Sequence, residues 1–274
     1  MSAPPRGPSG DLRIDLQLNQ ATLPWPDLRD RAVAAERAGY SAVWVFDHLG
    51  GKSLGGDSML EAFTLLGALA ASTSTIELGV MVANVNNRTP ATMAVAASTV
   101  QAIAGRRFHL GLGAGGSPES RWSAEMRAVG QAVAPTLTGR HDLVERTLDT
   151  IDLLWADDRP AAVATFPLPR PRPTVILGAS GLELAALAGR RADGINVDWL
   201  HPQRDNLLAA ASEAVGARHP FVRTVWMRWD EALLDPDHPT RAELAASSIR
   251  RVVLVVPAAV STAALARPVS AGSR

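Results

Sequence analysis

The chain alternates between two hydrophobic patterns along its length. Short runs of aliphatic, β-branched and aromatic residues predict buried strands, and longer segments with apolar residues three and four positions apart predict helices. The predicted strands are 12–18, 42–46, 76–82, 107–112, 174–177, 194–197, 222–228 and 252–256. The predicted helices are 28–38, 59–71, 91–104, 141–155, 182–191, 203–217 and 241–250.

Eight strands separated by helices predict an α/β fold with a parallel sheet. Eight such units in about 250 residues favour a single-domain (β/α)8 barrel, here over residues 12–274, over a doubly wound sheet, which usually has fewer strands. The last helix, 262–266, is short and is followed by Pro268 and Gly272. We therefore expect a short or incomplete last helix, or a truncated barrel. Residues 1–11 are rich in Pro, Gly and Ser and predict a flexible N-terminus.

The composition excludes several functional classes. The formal net charge is zero, which argues against a nucleic acid or a membrane surface as partner. There is no cysteine, and the six histidines lack the spacings typical of metal sites, so we expect neither a disulfide nor a metal. No apolar run approaches the roughly 20 residues of a membrane span. With no signal peptide evident, we expect a cytoplasmic protein.

Polar residues follow two of the predicted strands. Asp47 and His48 come directly after the second strand, and Asn84 and Arg88 lie at the end of the third and in its loop, before Pro90 opens a helix. Active sites of parallel barrels lie at the carboxyl ends of the strands. A histidine there can exchange a proton near neutral pH. The alternative is a loop that simply needs polar residues. For His109, inside the fourth strand, a hydrogen-bonded structural role is the better interpretation.

A glycine-rich segment, 111–116, follows the fourth strand. It matches the dinucleotide fingerprint only weakly, because that fingerprint should follow a first strand and open a helix. A better interpretation is that Gly113, Ala114 and Gly115 let a flat ring lie against the backbone. A tight turn is the alternative.

A second glycine-containing loop joins the fifth strand to a helix. It consists of Gly178, Ala179, Ser180 and Gly181. Free N–H groups at a helix start attract phosphate, and loops after late barrel strands often bind it. A capping box is the alternative, with Ser180 as the N-cap and Glu183 three residues later. Glu183 beside a phosphate would be unfavourable.

Several stretches together resemble a known family. They are 36–48, 69–73, 78–90, 105–115, and 178–181 with 192–194. In order and spacing they resemble the luciferase-like monooxygenase family, particularly its branch that uses the deazaflavin coenzyme F420. The resemblance implies a (β/α)8 barrel that binds F420, or alternatively FMN, at the carboxyl ends of its strands. It further implies an oxidoreductase that transfers hydride to or from a small-molecule substrate, and a homodimer.

The resemblance also implies roles for individual residues. Asp47 and His48 resemble the pair that contacts the ring system, with His48 as a proton donor. Met81 and Val82 resemble a bulge in the third strand, often with a non-prolyl cis peptide, that backs the ring. Asn84 matches a cofactor-contacting position, and residues 178–181 match the phosphate loop.

The chain departs from the family pattern in two places. Gly116 stands where sugar-phosphate dehydrogenases of this family carry a catalytic glutamate, and the lysines that those enzymes use on substrate phosphate are absent. A glucose-6-phosphate activity is therefore in doubt. An FMN-dependent monooxygenase and a degenerate cofactor-binding barrel without turnover remain alternatives. An aldolase or isomerase barrel would need a Schiff-base lysine or a glutamate at a strand end, and the only lysine, Lys52, lies in a Gly-rich loop.

Overall fold

The computed structural model describes residues 12–216 and 220–269. Within them, eight parallel strands close a barrel in chain order, and the last strand pairs with the first. The strands are β1 (Arg13–Leu18), β2 (Ala42–Val45), β3 (Glu77–Asn84), β4 (Phe108–Gly113), β5 (Thr174–Gly178), β6 (Gly194–Asp198), β7 (Val222–Arg228) and β8 (Arg251–Val256). The predicted (β/α)8 barrel is confirmed. The predicted flexible segment, 1–11, lies outside the described residues.

Helices connect the strands around the barrel. They are α1 (Trp25–Ala38), α2 (Ala62–Ser72), α3 (Pro90–Ala104), α4 (Ala124–Ala128), α5 (Leu137–Trp155), α6 (Leu182–Arg191), α7 (Arg204–Val215), α8 (Pro239–Ala246) and α9 (Thr262–Leu265). The short last helix is confirmed, because α9 has four residues. The predicted helix 203–217 ends at Val215 before Gly216, whose φ is +60°, and Ala217 lies outside the described residues. None of the described helices is long and apolar enough to cross a membrane.

Capping side chains move two helix starts away from their predicted positions. Helix α2 begins at Ala62 rather than at residue 59, because the Glu61 carboxylate accepts a hydrogen bond from the Thr64 N–H at 2.7 Å. Helix α5 begins at Leu137 rather than at residue 141, because the Thr136 hydroxyl accepts from the Gly139 N–H at 3.1 Å. In both cases the cap satisfies a backbone donor that the helix itself leaves free.

The barrel interior holds a small apolar cluster of its own. It consists of Ala42, Trp44, Met81, Ile176 and Val253, with Val82 and Trp226 packed against it. Trp44 is fully buried and occupies the space beside Gly79, where a Cβ atom would lie 2.8 Å from the Cδ2 of the indole. A side chain at position 79 would overlap the ring. The interior below the mouth is therefore packed.

The amino end of the barrel holds a buried ionic cluster. Arg251 donates from Nη1 to Asp15 Oδ2 at 2.5 Å and from Nη2 to Glu77. The indole N–H of Trp44 donates to the same Asp15 oxygen at 2.7 Å, and His109 Nε2 lies 2.8 Å from Glu77 Oε2. The structural role predicted for His109 is confirmed. This end of a barrel serves stability, and the site lies at the opposite end.

Burial shifts the pKa values of this cluster in different directions. Burial raises the pKa of Asp15 to about 6, although the charge of Arg251 acts against it. Burial, reinforced by the charge of Arg251, lowers the pKa of His109 to about 4. Burial alone would raise the pKa of Glu77. The hydrogen bonds and charges of His109 and Arg251 outweigh burial and hold the pKa of Glu77 below its ordinary value.

The contribution of His109 to stability should depend on pH. An unfolded histidine binds its proton near pH 6.5, whereas native His109 does so only near pH 4. Between these values the unfolded state binds more protons, so the stability that His109 provides is lost as the pH falls through this window. Between about pH 7 and pH 4, the difference in unfolding free energy between wild type and His109→Gln should change by about 3 kcal/mol to the disadvantage of wild type, measured by urea unfolding.

Asp15 has a raised pKa, so its own contribution to stability grows as the pH falls, opposite to that of His109. Wild type and His109→Gln both contain Asp15, so its contribution cancels in the difference between their unfolding free energies. His238→Asn is the matched control, because His238 caps α8 by accepting from the Thr240 N–H at 3.3 Å and takes part in none of the hydrogen bonds that form this cluster. A wild-type minus His109→Gln difference that stays constant with pH would contradict the prediction.

Candidate functional site

Two adjoining cavities open at the carboxyl ends of the strands. The first has a volume of about 670 Å³ and the second about 660 Å³. Their linings share Asp47, His48, Val82, Trp122, Gly178 and Ser180. Of the other predicted site residues, Asn84, Gly113, Ala114, Gly115 and Gly181 line the first cavity, and Met81 and Ala179 line the second. The structure therefore brings every predicted site residue to one rim of the barrel.

The wall between the cavities includes an irregular part of β3. The peptide bond between Met81 and Val82 is cis, and the pairing of β3 with β4 shifts register between Val80 and Ala83. Both the bulge and the cis peptide expected from the resemblance are present. The carbonyl of Met81 accepts a hydrogen bond from the buried Gln17 side chain, which ties the bulge to β1.

Val82 fills the space that two glycines leave open. A Cβ atom at Gly178 would lie 2.6 Å from Val82 Cγ1, and one at Gly113 would overlap Val82 Cγ2. The prediction that a ring lies against backbone at Gly113 is corrected in this respect, because a valine side chain covers it. Gly115 has a φ of +72°, and a Cβ there would lie 2.8 Å from Asn84 Oδ1, so this turn requires glycine. The residues directly after β4 form a loop and do not open a helix at the glycines, so the dinucleotide fingerprint is excluded.

Substitution of Gly113 should therefore displace Val82 into the first cavity. We expect Gly113→Ala to weaken the binding of a flat ring about tenfold and to cost about 1–3 kcal/mol of stability through overpacking. Adding Val82→Ala should restore part of the binding, because the two side chains compete for the same space although the ring then loses its contact with the valine. Isothermal titration and thermal unfolding check both expectations.

Gly67→Ala is the matched control, since a Cβ at Gly67 in α2 meets nothing nearer than 3.9 Å. That helix glycine should accept alanine with a small gain in stability and no change in binding. Failure of Val82→Ala to rescue Gly113→Ala would contradict the proposed competition.

Asp47 is held in place rather than free. Its carboxylate accepts from Arg88 Nη1 at 2.8 Å, from Arg88 Nη2 at 2.9 Å and from the Asn84 N–H at 2.9 Å. Its side chain is 1% exposed, and Arg88, which also pairs with Glu61, lines neither cavity. The geometry favours positioning roles for Asp47 and Arg88, which join the loops after β2 and β3. The ring contact expected of Asp47 stays a prediction.

His48 has a carboxylate partner that the sequence did not indicate. Its Nδ1 lies 3.0 Å from Glu125 Oε1, and Glu125 Oε2 accepts from the Gly50 N–H at 3.0 Å. The Glu125 side chain is 8% exposed, and the ring of Trp122 lies 5.7 Å from that of His48. Nδ1 engaged with a carboxylate leaves Nε2 of His48 for chemistry in the cavities.

Glu125 and Trp122 come from the segment after β4, whose polar pattern predicts a loop. The structure folds part of it into α4 and a preceding helical turn, Arg121–Ser123. The only signals are a tryptophan and a glutamate three positions apart in an otherwise polar stretch. These fit a surface helix as well as a site.

The loop after β5 differs from the predicted capping box. Gly181, not Ser180, is the N-cap of α6, and no side chain among the described residues caps this helix. Glu183 lies in the first turn but is 76% exposed, with an oxygen 3.4 Å from Nδ1 of His141, which also lines the first cavity. The capping alternative is therefore wrong, and the N–H groups of the first turn of α6 are left without a side-chain partner. Such a helix start favours an anion.

Two polar residues that follow β1 have separate roles. Asn19 lines the second cavity, whereas Gln20 holds the backbone of Phe46, donating to its carbonyl at 2.5 Å and accepting from its N–H at 3.1 Å. Trp25 begins α1 and packs against the core. In the described part of the chain, no group of three or more histidine, aspartate or glutamate side chains is arranged to hold a metal ion.

Comparisons with a family model and with individual relatives assign this chain to the same family. The model of the luciferase-like monooxygenases matches residues 12–219. The 5,10-methylenetetrahydromethanopterin reductase of Methanolobus tindarius is 27% identical over 192 residues, which are 68% of this chain and 54% of the relative. The F420-dependent hydroxymycolic acid dehydrogenase of Mycobacterium tuberculosis is 32% identical over 197 residues, or 65% and 51% of the two chains. The chain thus spans about half the length of these relatives.

A solved structure extends the likeness to nearly the whole fold. The monooxygenase RslO1 from Streptomyces bottropensis superposes with a TM-score of 0.69 at 17% identity, covering 93% of this chain and 96% of the other. At this identity the similarity concerns the barrel alone. The family match covers most of the chain and includes every predicted site residue. The chain belongs to the luciferase-like monooxygenase family.

Proposed function

We propose that this chain is an F420-dependent oxidoreductase that transfers hydride between the reduced cofactor and a small organic substrate. The observation that carries the proposal is the pair of adjoining cavities. They share a wall that contains His48 and Val82, and one of them extends to the start of α6. A cofactor and a substrate that react directly need such adjacent sites with a proton-exchanging group between them.

The residues present fit a phosphorylated planar cofactor in the first cavity. Ser180, Gly181 and the backbone N–H groups of the first turn of α6 would hold its phosphate, and the helix dipole favours negative charge there. The Glu183 carboxylate also lines this cavity, but it is 76% exposed and lies 3.4 Å from His141. Asn84 lies farther along the lining, and its amide nitrogen donates to no described residue, so it would contact a polar edge of the ring. Val82 would support the ring face. A bound deazaflavin supplies hydride transfer at its ring carbon 5.

His48 would hold and move the proton that accompanies hydride transfer. A single histidine suits this task because imidazole exchanges protons near neutral pH. Glu125 would fix the orientation and tautomer of the ring through Nδ1, in the way that carboxylates orient catalytic histidines. Asp47 and Arg88 would keep the backbone of Asn84 in place.

Relatives favour F420 as the cofactor. The name of the hydroxymycolic acid dehydrogenase states F420 dependence, and this relative is 32% identical to the chain. An FMN-dependent monooxygenase is the second candidate, because the family model that matches residues 12–219 is that of the luciferase-like monooxygenases. Glycine at position 116 and the single lysine, Lys52, argue against glucose-6-phosphate as the substrate.

The deciding experiment is a parallel titration of the purified protein with F420 and with FMN. We expect F420 to bind with a submicromolar Kd and FMN at least about tenfold more weakly, measured by fluorescence quenching of each cofactor and by thermal shift. The absorbance spectrum of any small molecule that copurifies gives an independent answer. If neither cofactor binds at micromolar concentration, the proposal fails.

Two variants test where the cofactor binds. If the ring binds in the first cavity, Gly113→Ala should weaken cofactor binding and Gly67→Ala should leave it unchanged. Tighter binding of FMN would favour the monooxygenase, and F420 binding without hydride transfer to any acceptor would favour a barrel without turnover. The homodimer stays a prediction, which light scattering of the purified chain checks.

A further inference from the structure

The second cavity differs in charge from the first. Its only carboxylate is Asp47, and that group is already paired with Arg88 and the Asn84 N–H. Two guanidinium groups, those of Arg121 and Arg228, also line it. The lining thus carries positive charge that no acidic side chain of the cavity neutralises.

The side-chain amides of this cavity already have partners. Gln17 donates to the carbonyl of Met81, Asn19 donates to the carbonyl of Leu54 at 3.0 Å, and Asn196 donates to the Thr224 hydroxyl at 2.8 Å. These amide donors bind other groups of the protein and are therefore not available to a ligand. Besides the hydroxyl of Ser180 and the indole N–H groups of Trp122 and Trp226, the polar side chains left to recognise a ligand are the two arginines and His48, and only the arginines carry a fixed positive charge.

Neither arginine makes a side-chain hydrogen bond or an ion pair with a described residue. The guanidinium of Arg121 lies 4.1 Å from the centre of the Trp122 ring, and its own carbonyl accepts from the Ser53 hydroxyl at 3.2 Å. Stacking uses the face of the guanidinium and leaves its in-plane N–H donors free. Arg228 is the last residue of β7, whereas Arg121 belongs to the segment after β4. The two guanidinium groups therefore come from different loops at the mouth of the barrel. In contrast, Arg88 and Arg251 are fully paired.

The remaining lining is apolar and lies deeper. Met81 is 5% exposed and Val256 1%, with Phe46 and Trp226 half-buried beside them, whereas both arginines are exposed at the rim. An apolar interior with unpaired guanidinium groups at its rim is complementary to an amphiphilic anion.

We propose that the second cavity binds an organic acid, with its carboxylate or phosphate group at Arg121 and Arg228 and its apolar body against Met81 and Trp226. This inference deepens the proposed function, on which the assignment of this cavity to the substrate rests. Planar guanidinium groups bind both head groups through paired N–H donors. Arg121 and Arg228 are then specificity-determining residues of the substrate site.

The test compares three probes of similar size: phenylacetate, benzyl phosphate and the neutral phenylacetamide. Calorimetric titration of the wild-type protein should show at least one of the acids binding about tenfold or more tightly than the amide. Added salt should weaken the binding of the acid and leave the amide unchanged. The tighter of the two acids identifies the head group.

Arg228→Gln and Arg121→Gln should each weaken the acid about five- to tenfold and leave the amide unchanged. Arg29→Gln is the matched control, because Arg29 lies exposed on α1 and, within the described ranges, pairs with Asp30 alone. Equal affinity for acid and amide, no measurable binding of either acid, or equal losses of acid and amide in the variants would overturn the proposal.

The outcome is separable from that of the proposed function. F420 and FMN are titrated into the same variants, and their binding should be unchanged, because neither arginine lines the first cavity. If neither cofactor binds the wild-type protein, the proposed function fails, while the acid-to-amide ratio still decides whether the cavity selects anions.

Discussion

Replacing Arg251 with methionine should lower the free energy of unfolding by about 3–5 kcal/mol, the range for removing one partner of a buried ion pair. The Arg251 side chain is 4% exposed and pairs with Asp15, which is fully buried, and with Glu77. Methionine fills much of the volume but leaves the buried Asp15 carboxylate without its cation and removes the most buried of the cations paired with Glu77. Urea unfolding of the two proteins at neutral pH measures the difference.

The ionic origin of this loss can be separated from lost packing by pH. Burial already raises the pKa of Asp15 to about 6 with Arg251 present, and removing the arginine raises it further. A protonated Asp15 no longer needs a cation, so the deficit of Arg251→Met should shrink as the pH falls from about 7 to about 5. A deficit that is independent of pH would indicate lost packing instead.

Arg13→Met is the control for charge at the same end of the barrel. Arg13 also pairs with Glu77, at 3.2 Å, but its side chain is 47% exposed. Exposed pairs contribute about 0–1 kcal/mol, so this variant should be almost as stable as the wild type. Equal losses for Arg13→Met and Arg251→Met would show that burial does not govern the energetics of the cluster.

The second large effect is on turnover. His48→Gln should reduce kcat about 10²–10⁴-fold, the usual contribution of a positioned proton donor or acceptor, with little change in cofactor affinity. Glutamine keeps a hydrogen-bonding side chain of similar length but cannot exchange a proton near neutral pH. The measurement follows F420 absorbance with an acceptor found by screening, and cofactor Kd by fluorescence quenching.

Glu125→Gln tests how His48 is oriented. It should lower kcat less, about tenfold, because an amide still contacts Nδ1 but no longer selects one tautomer as a carboxylate does. The pH profile of kcat should shift in Glu125→Gln, which a purely structural role for Glu125 would leave in place. His238→Asn, which retains a helix cap remote from the cavities, should leave kcat unchanged. Unaltered turnover in His48→Gln, or loss of cofactor binding along with turnover, would refute the assignment.

Local patterns account for most of what could be predicted. Strand and helix periodicity depend on near neighbours in the chain, so eight βα units were readable without a structure. Parallel strands in one barrel bring their carboxyl ends together, and this rule alone placed Asp47, Asn84 and Ser180 at one rim. Helix starts were less accurate at Glu61 and Thr136, because one capping hydrogen bond outweighs a periodic pattern there.

The pairing of side chains across the mouth depended on distant parts of the chain. His48 and Glu125 are 77 positions apart, and Asp47 and Arg88 are 41 apart. Hydrophobic periodicity specifies which face of an element is buried, but it carries no information about which polar group on another loop comes within hydrogen-bonding distance. Likewise, the space beside Gly113 could be recognised as open, but its occupation by Val82 follows from the bulge in β3. Local sequence thus determines the barrel and the rim on which the candidate residues lie. The hydrogen-bond partners of those residues, and the charge of each cavity lining, depend on packing between distant parts of the chain.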